Sequence, residues 1–342
     1  EEAAAHFANI YVQGTYQDAI GFYNLCQRSA LSKKEYEDYR FQLAYTYMQL
    51  EDFPKADSIF HELIAENGRY LLPATYYTAY IDYKEGFTQE AMKGFRQVAD
   101  VEEYRHTAPF YIMQLQFNEG QFVEMLETAE RLLQENPTQS EKTELYRLSA
   151  AAHYELKNYR DAQVFYEKYL AEDPEILRTD AYRIGMIHFL EKQYDKALTY
   201  FSKASGEDDA LAQNAIFHVG VCYLQMQKND MARLSFERAS LSHHDKGTKE
   251  DALYNYALLC YETSFSPFNE QIKAFERILE EFPNSKYSDQ IYSHLADAFL
   301  SNSNYQAAID FIGKIDKLNN PTVVGLDPQY EMIPSHIREK QL

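Results

Sequence analysis

No tryptophan occurs in the 342 residues, cysteine occurs three times, and glycine and proline are held to 12 and 10. The cysteines Cys26, Cys222 and Cys260 are too few and too scattered for a disulfide framework. None stands in a CxxC or Cys/His spacing that would hold zinc, so all three read as small core residues. Cations are also short: 33 Lys and Arg stand against 53 Asp and Glu, a net charge of −20. Nucleic acid is held by cations on its phosphates, and anionic lipid by basic clusters, so neither is an expected partner. No stretch approaches the run of about 18 apolar residues that a spanning helix needs, so no transmembrane segment is expected. GxGxxG, GxxxxGK, HExxH and GxSxG are all missing, so no catalytic residue, metal ligand or cofactor is expected.

What is present is aromatic and apolar. Tyrosine occurs 30 times and phenylalanine 21, within a chain that is 45% apolar and 25% charged. That balance specifies an ordered protein, and few breakers with many large rings suit helices that meet through aromatic contacts. The length exceeds what one compact core usually serves, a limit that a repeat array avoids because each unit packs only on its neighbours.

A repeat is visible. A small residue is followed four positions later by an aromatic at Ala19/Tyr23, Ala56/Phe60, Ala91/Phe95, Ala162/Tyr166, Ala197/Phe201 and Ala232/Phe236. Weaker members are Met125/Ala129, Gln271/Phe275 and Ala308/Ile312, and successive members lie 34 to 39 residues apart. About twelve positions before each comes another small residue: Ala44, Ala79, Ala150, Gly185, Gly220, Ala257 or Ala296. Apolar residues around them recur at three and four, which is helical spacing. Each period holds two helices of about a dozen residues, A and B. The first small residue lets A approach B, and the second lets B approach the next A. Pro137, Pro174 and Pro283 fall where helix B must stop, whereas Pro54, Pro73 and Pro109 fall in first turns, where proline is tolerated.

The pattern resembles the tetratricopeptide repeat: small at position 8, Tyr at 11, Ala at 20, aromatic at 24 and Pro at 32. The likeness implies an all-α right-handed superhelix of about nine helix-turn-helix units over residues 1–317, with 318–342 a C-terminal cap or tail. A narrower likeness joins the stretches Tyr39–Tyr45, Ala74–Tyr83 and Ala108–Gln114 to repeat proteins of Bacteroidetes cell envelopes. Glu281-Phe282-Pro283-Asn284-Ser285-Lys286-Tyr287 is similar to a run in outer-membrane assembly and periplasmic coordinator proteins. Those likenesses imply an exported protein, periplasmic or outer-membrane-associated. The chain begins Glu1-Glu2-Ala3 without a methionine or a basic-then-apolar leader, and reads as a processed or trimmed form.

In such superhelices helix A lines a concave surface. Transferred to this sequence, the partner-binding positions are Phe41, Tyr45, Tyr76, Tyr80, Tyr83, Phe110, Phe117, Arg147, Tyr182, Phe217 and Tyr254. The families that clamp a carboxylate tail use Lys and Asn there, and this chain offers only the scattered Arg147 and Arg183. The ring-rich wall suits extended peptides or an inserted helix, which makes a non-enzymatic scaffold for protein or peptide partners the expected function. A carbohydrate-binding envelope protein, with a glycan ligand on the same rings, and the sensor part of a larger signalling protein are the alternatives. His153 and His188, at the repeat's Tyr position, are expected to be hydrogen-bonded core histidines, and His243-His244 a solvated turn.

Overall fold

The computed structural model describes residues 16–25, 29, 31–262, 270–301, 309, 310 and 313. Cys26, the Ala308/Ile312 pair and the 318–342 segment lie outside them. Among the described residues there are helices, turns and loops and no strand. The chain divides into two compact units, Glu1–Pro174 and Glu175–Leu342.

The first unit holds α1 (Tyr16–Leu25), α2 (Lys33–Gln49), α3 (Phe53–Ala65), α4 (Leu71–Glu85), α5 (Thr88–Val98), α6 (Ala108–Asn118), α7 (Phe122–Gln134), α8 (Gln139–Glu155) and α9 (Tyr159–Leu170). The second holds α10 (Arg178–Leu190), α11 (Tyr194–Ala204), α12 (Ala210–Gln225), α13 (Asn229–Leu241), α14 (Lys246–Glu262), α15 (Glu270–Glu281) and α16 (Ser288–Ser301). Within each unit every helix packs on the next. From α2 onward the even-numbered helices are A and the odd-numbered ones B, so both units are runs of helix hairpins.

The hairpins close by one backbone device used six times. Glu51, Gly86, Gly120, Lys157, Lys192 and Gln227 sit at the A–B turns with φ between 59° and 84°. The amide after each donates back five residues to a helix-A carbonyl, as Asp52 N to Tyr47 O and Phe87 N to Asp82 O, both 2.9 Å or shorter. This Schellman closure satisfies carbonyls that a helix end otherwise leaves bare. Helix starts are fixed by side chains: Ser32 with Glu35 and Thr138 with Glu141 form capping boxes, and Asp209 Oδ1 accepts from Ala212 N at 2.8 Å.

The expected small–aromatic pairs form the cores. Ala56, Ala91, Ala162, Ala197 and Ala232 are fully buried, as are Phe60, Phe95, Phe201, Phe236 and Phe275. A methyl group built on Gly220 would stand 2.7 Å from the Phe236 ring, and one on Gly185 2.8 Å from the Phe201 ring. The first small position therefore meets the ring of its own helix B. Where the pattern weakens, volumes are exchanged: Ala129 takes the ring's place, and the buried Met113 and Met125 take the small places. Cys222 and Cys260 are buried in helix faces, as their role as small core residues requires.

Candidate functional site

All eleven expected partner-binding residues lie on helix A of their hairpins and all are half-buried. In the first unit α2, α4 and α6 are joined ring to ring. Phe41 and Tyr45 of α2 meet Tyr77 of α4 at 5.9 and 5.3 Å. Tyr76, Tyr80 and Tyr83 of α4 all turn their rings against Tyr111 of α6, at 5.2 to 6.5 Å. Tyr111 itself stacks on the core ring Phe95 at 4.7 Å. Phe110 packs against the core beneath α6 and α7, and Phe117 stands edge-on to Phe122 at 5.2 Å. Burial pushes the Tyr77 and Tyr111 hydroxyls up to about 12.

Three expected lining rings carry a covering ring from the following inter-repeat loop. Tyr70 stacks on Phe41 with centroids 4.3 Å apart, Tyr104 on Tyr76 at 4.5 Å, and Tyr287 on Tyr254 at 3.9 Å. The spacing rules did not find these loop tyrosines, nor Tyr77 and Tyr111. For Tyr70 and Tyr287 a signal existed: an aspartate three residues before the helix-A ring, and a cation just before the loop tyrosine. Tyr70 donates to Asp38 Oδ1 at 2.5 Å and Tyr287 to Asp251 Oδ1 at 2.8 Å. Arg69 and Lys286 pair with the same two carboxylates and lie over the same two rings.

Arg147 is held by Glu144 through Nε at 2.8 Å and Nη2 at 2.6 Å, and Arg183 pairs at 3.3 Å with the fully buried Asp180. Both cations are matched by carboxylates of their own helices. In the second unit Tyr182 packs on Phe201 and reaches His218 Nδ1 at 3.4 Å, while Phe217 packs on Phe236 at 5.5 Å. His218 Nδ1 also bonds the Asn214 carbonyl at 2.9 Å, and burial lowers its pKa, which keeps the ring neutral.

One histidine expectation needs correction. His153 stacks on Phe165 at 5.3 Å, but its Nδ1 is buried without a hydrogen-bond partner, and burial lowers its pKa. Packing on Phe165, not a hydrogen bond at Nδ1, holds this ring. The His243-His244 turn is exposed, as expected, with His243 Nδ1 2.9 Å from Lys249 Nζ and His244 Nε2 3.1 Å from Asp208. No group of three metal-ligating side chains occurs among the described residues.

Residues 181–209, which span most of α10 and all of α11, match the family profile of the tetratricopeptide repeat. No curated protein matches. Among solved structures, a tetratricopeptide repeat protein from Parabacteroides merdae ATCC 43184 is 15% identical over 76% of this chain and 97% of its own, with a TM-score of 0.48. YrrB, described as a TPR protein with an unusual peptide-binding site, is 18% identical over 56% and 93%, with a TM-score of 0.46. PilW, described as a type IV pilus biogenesis factor, is 14% identical over 64% and 99%, with a TM-score of 0.49.

Hairpins with a shared closing turn, buried small residues and a ring-bearing A face define a helical repeat scaffold. Residues 181–209 carry a tetratricopeptide repeat, and hairpins with the same small residues, core rings and left-handed turn recur in both units. That fold supports a role as a protein-interaction scaffold with protein or peptide partners. Among the described residues no helix is long and apolar enough to cross a membrane.

Proposed function

We propose that this protein is a non-catalytic adaptor that holds a protein or peptide segment on the helix-A face of its first unit, in a bacterial envelope. One observation carries the reading. In a chain of net charge −20, the surface of α2, α4 and α6 presents rings and amides at Phe41, Gln42, Tyr45, Gln49, Tyr76, Tyr80, Tyr83, Phe110, Gln114 and Phe117, with the Lys84 ammonium 5.6 Å from the Tyr80 ring. Half-exposed tyrosines present apolar area with a hydroxyl at low rotamer cost, and amides add donors and acceptors that match a peptide backbone. The envelope setting rests on the likeness of the Tyr39–Tyr45, Ala74–Tyr83, Ala108–Gln114 and Glu281–Tyr287 stretches to envelope repeat proteins.

Tyr80→Ala combined with Tyr83→Ala tests the face, because both rings meet Tyr111 edge-on and leave the Phe95 core intact. Helicity by circular dichroism is expected to stay unchanged. Capture of the partner that the unaltered chain retains from an envelope extract is expected to fall by at least about tenfold. Unchanged capture would refute the assignment, and loss of binding to an oligosaccharide on a glycan array would redirect it to sugars.

A further inference from the structure

The three covering tyrosines are not equivalent. Tyr70 and Tyr287 are latched at their tips: each hydroxyl is bonded to an aspartate of helix A, and each follows a cation that pairs with that same aspartate. Counting back three residues from Tyr76, as Asp38 precedes Phe41 and Asp251 precedes Tyr254, reaches Pro73, which has no acceptor to offer. The residue before Tyr104 is Glu103 where the other two loops have Arg69 and Lys286. Among the described residues the Tyr104 hydroxyl has no hydrogen-bond partner, and Glu103 is exposed without an ion pair. With no bond at its tip, the ring is held by stacking on Tyr76, centroids 4.5 Å apart and planes 17° from parallel, and by packing at the edge of the core that contains Phe95 and Ala108.

Its backbone is fixed independently of the ring. Arg105 N donates to Val101 O at 2.9 Å and Ala108 N to Tyr104 O at 2.8 Å. Rotation of the Tyr104 side chain off Tyr76 would break these ring contacts and leave the backbone bonds of the loop in place. The underside of Tyr76 stays supported edge-on by Phe95 at 5.7 Å.

Accepting the helix-A face as the binding surface, we propose that Tyr76 is a stacking platform for a planar side chain of the partner, and that Tyr104 occupies it as an internal stand-in. Glu103, and beside it Glu102, whose carboxylate already pairs with Arg105 at 2.9 Å, give the site its chemistry. The occupant is an aromatic residue next to a Lys or Arg, whose charge takes the place that Arg69 and Lys286 fill at the latched rings. Binding then substitutes one ring for another, and the stand-in lowers apparent affinity by the fraction of time it covers the platform.

The absence of tryptophan makes the test direct, since the indole of an added Gly-Trp-Lys-Gly amide is the sole one in solution. Its fluorescence titration should show saturable binding to the unaltered protein. Tyr104→Ala should bind about fivefold tighter, the factor that corresponds to losing one competing ring stack. Tyr76→Leu, which keeps apolar volume for folding but has no planar face, should abolish binding. Glu103→Gln should weaken the Trp-Lys probe and leave Gly-Trp-Gln-Gly unchanged. Weaker or equal binding by Tyr104→Ala overturns the proposal, as does binding that survives Tyr76→Leu, or displacement of the probe by a neutral oligosaccharide. Should the probe ignore these changes while partner capture still depends on Tyr80 and Tyr83, the platform fails and the adaptor reading stands. Probe binding that follows Tyr76 and Tyr104 while capture ignores Tyr80 and Tyr83 gives the opposite result.

Discussion

Asp82 stands three residues after Ala79, the position that Tyr47, Gln116, His153, His188 and Tyr223 fill in other hairpins. The backbone carbonyl there always accepts the closing hydrogen bond, so the turn constrains the main chain and leaves the side chain to vary. At Asp82 the variation has a cost. Burial, then Asp57 of α3 and Glu90 of α5, with Glu85 a lesser contributor, raise the carboxyl from 3.8 to about 6 against the opposing pull of His61. A carboxyl raised in the folded state binds its proton more tightly there than in the unfolded chain. Stability from this group therefore grows as pH falls from about 6 toward 4, and the penalty is complete above about 6. Asp82→Asn is expected to raise the urea midpoint at neutral pH, with the gap from the unaltered protein closing on acidification through that window. A pH-independent gap would place the effect elsewhere. Nothing in the sequence marked this residue, because its neighbours Asp57 and Glu90 come from other helices.

The helix hairpin was the element most legible before any coordinates. Small residues and rings repeat because two helix axes approach closely only where side chains are short, and that requirement is written directly in composition and period. The A–B turn was not legible: only Gly86 and Gly120 announce a left-handed residue, while Glu51, Lys157, Lys192 and Gln227 adopt it without the usual glycine. The covering rings were missed for a related reason, since a loop tyrosine finds its partner through the fold and not through spacing. Gly220 tests the packing logic. Its replacement by alanine gains about 1 kcal/mol of helix propensity, but puts a methyl 2.7 Å from the buried Phe236 ring, and overpacking of that kind costs about 1–3 kcal/mol. Gly220→Ala is expected to lower the thermal midpoint. A higher midpoint would mean that the ring yields and that glycine is not required there.

For the whole molecule, composition excluded more than it specified. An acidic, tryptophan-free chain with scattered cysteines leaves few classes open, and the repeat selects among them, yet neither names a partner, because a binding face is set by which rings the fold leaves uncovered. The division into two compact units has a chemical reporter. Cys222 and Cys260 both lie in the second unit, Cys222 is fully buried, and burial pushes its thiol up to about 12. In a Cys26→Ser background, iodoacetamide is expected to react with these two thiols only as the second unit opens. Labelling in urea should then follow that unit's own transition. Rapid modification of either thiol in the native state would contradict the packing of α12 and α14.

The left-handed turns carry a practical corollary. Their closure belongs to the main chain, and the residue at each apex is exposed, so no buried group depends on what side chain stands there. Positions 51, 86, 120 and 157 thus fall like graduation marks along the first unit, one per hairpin. A dye placed at each in turn would report, by energy transfer to a labelled ligand, which hairpin lies beside each end of the captured chain and in which direction it runs.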